Sequence, residues 1–171
     1  MIGVLVFFFD ADDGWSSKNF HFMDYHLIHQ DSIGIVLDNA RQYRALREPD
    51  LAISIHIDAI ALSDNQDALV VYILALTDQY SHDGTKVKDK KIIQTIAKLD
   101  SEFHRHYYTG IFLERKARAW LKNPMSQSFA YEGLIEAIGQ YEMAEKIAPS
   151  HCSDPILRYN SCLRTIEKER L

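Results

Sequence analysis

One stretch near the front of the chain decides the fold: Asn39-Ala-Arg-Gln-Tyr-Arg-Ala-Leu-Arg-Glu-Pro-Asp-Leu-Ala52-Ile-Ser-Ile-His-Ile-Asp-Ala59-Ile. Proline fits only the first turn of an α-helix, so Pro49 divides the stretch into two helices. Ala40, Ala52 and Ala59 are small enough to let two helices approach closely. The stretch therefore predicts a helical hairpin, with two helices joined by a tight turn and packed through alanines.

Helical signals continue to the end of the chain. Residues beyond 30 show no sustained alternation of apolar and polar positions, so we expect no sheet. Residues 1–30 are predicted to be an irregular N-terminal segment, and residues 31–171 one helical domain. The predicted fold class is all-α, with seven helices at about 31–47, 50–62, 66–80, 86–99, 101–121, 126–147 and 154–171.

The composition is that of a folded, mildly acidic protein. The chain has 171 residues, 47% of them apolar, and a net charge of −5, which argues against general nucleic-acid binding. Cys152 and Cys162 lack CxxC spacing, so a reduced, cytoplasmic setting is expected. Residues 1–9 are apolar but too short to span a membrane, which needs about 20 residues, and no positive charge precedes them as in a signal peptide. A misassigned start, giving a non-native leader, is an alternative for this segment.

A second run repeats the pattern of the first hairpin. In Ala137-Ile-Gly-Gln-Tyr-Glu-Met-Ala-Glu-Lys-Ile-Ala-Pro149, a tyrosine follows the first alanine by four residues, an alanine follows three later and proline five beyond that. In the first hairpin those places are held by Ala52, His56, Ala59 and Asp64. Helix starts near 33, 66 and 101 give a period close to 34. This pattern resembles the tetratricopeptide repeat (TPR), in which paired helices stack on one another.

The resemblance implies both an architecture and a function. It implies antiparallel helix pairs in a short right-handed superhelix, whose first helices line a concave groove that binds a peptide or partner protein. No catalysis and no cofactor are implied. The middle of the chain departs from the pattern, because residues 86–99 lack the alanine spacing. In the third predicted helix pair, at about 101–121 and 126–147, Gly110 stands where the family has a small residue. Both helices of this pair are longer than the helices of a family repeat, so we expect an irregular array.

Carrying the family's groove positions over residue by residue predicts the binding surface. Arginines and aromatic residues mix there in an otherwise acidic chain. Because arginine pairs with carboxylates through a planar fork, the predicted partner is an acidic peptide or a C-terminal carboxylate. The predicted partner-binding residues are Arg41, Arg44, Tyr72, His104, Tyr107, Arg115 and Arg158. The same positions include Leu37, Gln79, Tyr80, Glu114 and Cys162.

The histidines near the N-terminus support an alternative hypothesis. His26 and His29 are three residues apart and share one helix face, and His21 joins them only from a loop. His104 and His106 are further potential ligands for zinc or iron. The H-E-x-x-H signature is absent. The alternative is therefore a small helical metalloprotein that uses the N-terminal histidines.

Two patterns suggest catalysis, and both lack their required context. Asp10 and Asp12 follow an apolar run, which resembles the start of haloacid dehalogenase-type phosphotransferases, but the predicted helices leave no room for that family's sheet. His151 is adjacent to Cys152, and sequence neighbours do not by default form a catalytic dyad. A cysteine on a helix face, such as Cys162, usually serves packing. We therefore predict no enzymatic activity.

Overall fold

The computed structural model describes residues 26–62, 65–81 and 89–171. In this part of the chain there are seven α-helices and no strand, which confirms the all-α prediction there. Three short 3-10 turns accompany the helices, at Gln30–Ser32, Gln79–Ser81 and Pro124–Ser126. The α-helices are α1 (Ile33–Ala45), α2 (Pro49–Leu62), α3 (Gln66–Asp78), α4 (Asp89–Ile96), α5 (Glu102–Trp120), α6 (Gln127–Lys146) and α7 (Asp154–Glu169).

The observed helix ends correct some predicted ones. Helix α2 begins at Pro49 itself, because the missing amide of proline is not needed in the first turn. Helix α4 was predicted to reach Leu99 but ends at Ile96. The amides of Lys98 and Leu99 bond three residues back, at 3.1 and 3.0 Å, which tightens the chain into a turn. The predicted start of α4 at residue 86 lies outside the described residues.

Short polar side chains begin several of the helical segments. The Asn65 side chain accepts a hydrogen bond from the Asp67 amide at 2.8 Å, and Ser101 accepts one from the His104 amide at 3.4 Å. Asn123 does the same for Met125 at 3.0 Å. These bonds satisfy amides that have no partner within the helix, so the sequence itself fixes where α3, α5 and the turn before α6 begin.

The helices pack in chain order, with one additional set of neighbours. Each helix contacts the next along the chain, and α3 also contacts both α1 and α5. The most extensive interface joins α5 and α6. The predicted alanine contacts are confirmed, because Ala40, Ala52, Ala59, Ala137 and Ala144 are each 0% exposed. Small residues therefore lie where the helices approach most closely.

Gly110 on α5 marks the closest of these approaches. A Cβ atom built at this glycine would lie 2.5 Å from Cε1 of Tyr141 on α6. Tyr141 is itself 0% exposed, so its ring has no free space in which to retreat. The predicted small position of the third pair is thus occupied by the one residue type that fits.

Two apolar clusters meet at α5. The first lies among α3, α4 and α5 and includes Ile73, Ile92 and Phe112. The second lies among α5, α6 and α7 and includes Leu134 and Tyr141. Helix α5 thus holds the two halves of the described chain together. None of the described helices combines the length and the apolar character needed to cross a membrane.

Candidate functional site

Three of the seven predicted binding residues, Arg44, Arg115 and Arg158, belong to two arginine–carboxylate clusters. We call Arg44, Asp78 and Arg115 the Asp78 cluster. The Glu114 cluster consists of Glu114 with the side chains that bond to it: Arg118, Tyr141 and Arg158. Each cluster places one carboxylate between two arginines. The sequence analysis named most of the arginines, but it did not identify Asp78 or Arg118.

The Asp78 cluster joins the first, third and fifth helices. Arg44 Nε donates to Asp78 Oδ2 at 2.7 Å, and Arg115 Nη1 lies 2.8 Å from Asp78 Oδ1. Arg115 also donates to the Leu74 carbonyl at 3.1 Å and to the Thr77 hydroxyl. Burial lowers the pKa of Arg115, and the neighbouring Asp78 carboxylate opposes that shift. The cluster is therefore a structural joint between α1, α3 and α5.

This geometry corrects the role predicted for Arg115. The Arg115 side chain is only 19% exposed, and its Nη1 atom is bonded to three groups of α3. Arg44 is equally covered, at 18%, although it borders an open cleft described below. Arg115 thus bonds to its own chain through Nη1, which gives it a structural role that the sequence did not predict.

The Glu114 cluster joins α5, α6 and α7 around a buried carboxylate. Tyr141 Oη donates to Glu114 Oε2 at 2.7 Å, and Arg118 Nε donates to Oε1 at 2.9 Å. Arg158 Nη1 lies 3.6 Å from Oε2. The Glu114 side chain is 3% exposed, whereas Arg118 and Arg158 are 36% and 37% exposed. The pKa of Tyr141 is raised, first by burial and then by the charge of Glu114.

Cys162 lies fully buried beside this cluster. Its side chain is 0% exposed, and burial raises the pKa of the thiol to about 12, with the Glu114 charge acting in the same direction. A thiol with such a pKa is neutral near pH 7 and is a poor nucleophile. Cys162 therefore contributes packing, as expected.

Tyr107 and His104 belong to an aromatic row on α5. Tyr107 stacks on Phe103, with ring centroids 5.8 Å apart, and lies beside the Arg158 guanidinium. The His104 ring packs on Tyr108 with centroids 5.8 Å apart. These rings are half-buried. Arg158 and Tyr107 therefore lie side by side, and their role in binding a partner stays a prediction.

Tyr72 and Arg41 lie apart from this surface. Tyr72 is 7% exposed and stacks on His56 of α2, with centroids 5.6 Å apart. The prediction that it faces a partner is wrong, because position 72 faces α2 and the interior. Arg41 is exposed, and its only ion pair with the described residues is to Asp38 on its own helix, at 2.7 Å.

Two open clefts with cationic walls lie at the C-terminal ends of the odd-numbered helices. The first cleft, of about 490 Å³, is lined by Arg44, Arg47, Asp78, Ser81 and Lys122. The second cleft, of about 450 Å³, is lined by Arg118, Leu121, Lys122, Ser161, Arg164, Thr165, Lys168 and Glu169. Cations outnumber carboxylates in both, although the whole chain is acidic.

Sequence reasoning missed most of the lining residues. Arg47, Lys122, Arg164 and Lys168 were not assigned to any site. Arg47, Lys122 and Lys168 lie in or just after the last turns of helices whose ends lie together, and Arg164 lies one turn earlier than Lys168 on α7. That proximity follows from packing, because odd-numbered helices are neighbours although separated in the sequence.

The histidine hypothesis gains no site within the described residues. His26 and His29 are exposed, and His29 Nδ1 accepts from the Asp31 amide at 3.3 Å. His106 is held by Gln140 at 2.8 Å. No group of three or more potential ligands is arranged for a metal in the part of the chain that the structure describes. His21, like Asp10 and Asp12, lies outside it.

Comparisons of the chain with known proteins found no relative. No protein-family model, curated protein or solved structure matches the chain. The functional conclusion consequently rests on the two clusters and the two clefts.

Proposed function

We propose that the protein is a non-catalytic, TPR-like scaffold that binds an acidic peptide segment of a partner protein in the first cleft. The observation that carries this proposal is the cationic lining of the cleft, with Arg44, Arg47 and Lys122 around a single carboxylate, Asp78. In a chain with a net charge of −5, such a grouping favours an anionic partner.

The contacts among odd-numbered helices support the repeat architecture. In stacked helix pairs, the first helix of one pair lies against the first helix of the next, as α3 does against α1 and α5. Two bonds link residues 34 positions apart: Arg44 on α1 with Asp78 on α3, and the Asp100 amide, just before α5, with the Gln66 side chain on α3. A separation of 34 is one TPR period, and bonds of this span are expected between equivalent places of neighbouring repeats.

The chemistry of the cleft favours carboxylates as ligands. Arg47 and Lys122 are exposed, and neither forms an ion pair with any of the described residues. Lys122 Nζ donates to the Ser81 carbonyl at 3.0 Å, which holds the ammonium group at the edge of the cleft. Arginine and lysine in such positions form charge-assisted hydrogen bonds with carboxylates.

The buried ionisable groups support a role without catalysis. Both cluster carboxylates are engaged by arginines, and the Cys162 thiol is kept neutral. A general base or nucleophile needs a reacting atom within reach of substrate. Both oxygens of Asp78 are paired with arginines, and the Glu114 side chain is only 3% exposed, so neither carboxylate is an unpaired, accessible base.

Binding of a fluorescent hexaglutamate peptide with a free C-terminal carboxylate tests the proposal by fluorescence polarisation. Arg47→Glu should weaken binding about tenfold, which corresponds to about 1.4 kcal/mol, because it reverses one wall of the first cleft. Arg170→Glu is the matched control, since Arg47 and Arg170 are both exposed and both left-handed, at φ 63° and 54°. Arg170 does not line the first cleft.

Two results would contradict the proposal. One is wild-type protein that fails to bind the peptide at low salt. The other is an equal loss in the two variants, which would reduce the effect to net charge. Circular dichroism should show both variants to be as helical as the wild type, because both side chains are exposed.

A further inference from the structure

The cations of the second cleft form two like-charged pairs at helical spacing. Arg164 and Lys168 are four residues apart on α7, and Arg118 in the last turn of α5 precedes by four residues Lys122, which lies just beyond the helix end. Like charges at this spacing destabilise a helix. Glu169 is the only carboxylate in the lining, and it lies 3.6 Å from Lys168. The lining therefore carries a net charge of +3, from four cations and one anion.

Helix-end electrostatics account for only part of this charge. Arg118 and Lys168 lie in the last turns of α5 and α7, where cations oppose the partial negative charge of the helix end. Arg164 lies before the last turn of α7 and forms no ion pair with the described residues. The remaining repulsion among the cations of the second cleft would be relieved by a bound anion.

Arg118 is held in place from beneath. Its Nε donates to the buried Glu114, and its Nη2 donates to Ser161 Oγ at 3.0 Å. Its Nη1 makes no hydrogen bond to any of the described residues, and the side chain is 36% exposed. A guanidinium fixed on one edge and open on the other is preorganised to bind an anion.

Ser161 adds a neutral donor to this surface. Its Oγ accepts from Arg118, and its own hydroxyl hydrogen has no acceptor among the described residues. The neighbouring Thr165 hydroxyl donates to the Ser161 carbonyl at 2.9 Å, so its donor is already used. The second cleft thus combines several cations with one hydroxyl donor. A single carboxylate has too little charge and too few acceptor oxygens to pair with all of these groups.

We propose that the second cleft binds the phosphate groups of a small polyanion. One phosphate monoester carries about −1.5 to −2 charge and three acceptor oxygens, which match the net charge and the donors of this lining better than a carboxylate does. A free oligophosphate and a phosphorylated peptide present the same chemistry. This site does not depend on peptide binding in the first cleft.

Isothermal titration calorimetry with two kinds of probe tests the site and separates the sources. One probe is inorganic pyrophosphate without divalent cations. The other is an Ala-rich hexapeptide bearing one phosphoserine, compared with its unphosphorylated form. Binding of pyrophosphate alone assigns the site to free oligophosphates, and binding of the phosphopeptide but not its serine form assigns it to modified proteins. Either result supports a phosphate site.

Paired charge-neutral variants locate the binding. Arg164→Gln with Lys168→Gln should weaken phosphate binding about tenfold, because half of the cations are removed. Lys90→Gln with Lys146→Gln is the matched control, which removes the same charge from exposed residues outside the cleft. All four positions are exposed, so both double variants should keep the wild-type melting temperature.

Three outcomes would overturn the proposal. These are no binding of any phosphate probe by the wild type, equal weakening in the two double variants, and measurable binding of both hexapeptide forms with the same affinity. Failure of the first cleft is distinguishable, because Arg47→Glu should leave pyrophosphate binding within about twofold, whereas Arg164→Gln with Lys168→Gln should leave hexaglutamate binding within the same range.

Discussion

The Asp78 cluster and the Glu114 cluster each pair one carboxylate with two arginines, but they differ in which of these side chains are buried. In the Asp78 cluster, the carboxylate and both arginines are covered to a similar degree, with side chains 18% to 22% exposed. In the Glu114 cluster, the carboxylate is 3% exposed while its arginines are 36% and 37% exposed. In the Asp78 cluster, all three charged side chains are mostly buried against one another. In the Glu114 cluster, only the carboxylate is buried, and both arginines remain partly exposed to solvent.

The difference shows why an arginine on a predicted binding face is not automatically a binding residue. The Arg115 side chain is 19% exposed and its Nη1 atom is bonded to α3, so its charge serves the joint between helices. Arg118 rests on a buried acid and retains donors that face a cleft. Both arginines form ion pairs, so an ion pair does not tell them apart. They differ in their carboxylate partner: the partner of Arg118, which can still bind a ligand, is more deeply buried than the partner of Arg115, which has a structural role.

The largest expected effect comes from removing the buried acid. Glu114→Ala should lower the free energy of unfolding by about 3 kcal/mol, because it leaves the Tyr141 hydroxyl and two arginines without their partner. Urea unfolding followed by circular dichroism measures the change. Glu132→Ala, at an exposed position on α6, is the control. A loss below about 1 kcal/mol would mean that the arginines and Tyr141 find other partners, and that the two clusters do not differ as proposed.

The next largest effect concerns the interface that brings Tyr141 to Glu114. Gly110→Ala should destabilise the protein by about 2 kcal/mol, because the new methyl group would meet the buried Tyr141 ring. Gly139→Ala on α6 is the matched control, since no atom lies within 4 Å of its added Cβ. The control should gain about 0.5 to 1 kcal/mol from helix propensity. Opposite signs in thermal unfolding would confirm the close approach, and equal signs would refute it.

A smaller effect is expected at the other cluster. Asp78→Asn should lower the free energy of unfolding by about 1 kcal/mol. The two arginines lose their electrostatic attraction to the carboxylate, but they are partly solvated, so water can still hydrogen-bond to them. Asp38→Asn is the comparison, since the Asp38–Arg41 pair lies on one helix with its carboxylate 75% exposed. No measurable change is expected for that variant. If Asp78→Asn destabilised the protein as much as Glu114→Ala, burial of the carboxylate would not be the distinguishing property.

The smallest effect appears only in alkaline solution. Because burial raises the pKa of Cys162 from 9.0 to about 12, the thiol stays neutral in the folded state while it ionises in the unfolded state. Its stabilising contribution is complete below pH 9 and is lost as the pH rises towards 12. At pH 9.5 the loss is about 1 kcal/mol or less.

Cys162→Ala removes this dependence, so the stability difference between wild type and variant should narrow from pH 8 to pH 9.5. Urea unfolding at the two pH values measures it. A constant difference would show that the thiol is not kept neutral by its surroundings, and would weaken the description of the Glu114 cluster as a buried site.

Much of the fold was predictable from local sequence. The helices follow from apolar periodicity, from Pro49 and from capping residues such as Asn65 and Ser101. The end of α4 was not predictable, because its last turn tightens through bonds three residues back that apolar spacing does not reveal. The burial of Tyr72 also escaped prediction, since an amphipathic pattern does not say which neighbour a half-polar aromatic ring will face.

The proposed binding clefts were only partly predictable for a related reason. Of the residues at the family's groove positions, Arg44 lines the first cleft, whereas Tyr107 and Arg158 contact each other and line neither cleft. The groove positions did not identify the cations at the helix ends, because position in a repeat carries no information about which ends meet. The right-handed superhelix and the concave groove stay predictions.

The sequence alone determined an all-α chain in which alanines and one glycine lie at the closest helix contacts. These features depend on residues a few positions apart, and the chemistry of proline, alanine and glycine is local. The tertiary structure alone decided which charges are free. Arg115 is neutralised by an aspartate 37 positions earlier in the chain, and Arg118 is fixed by Ser161, 43 positions later. Availability depends on what the neighbouring helices place around a side chain, and only packing brings such distant residues together.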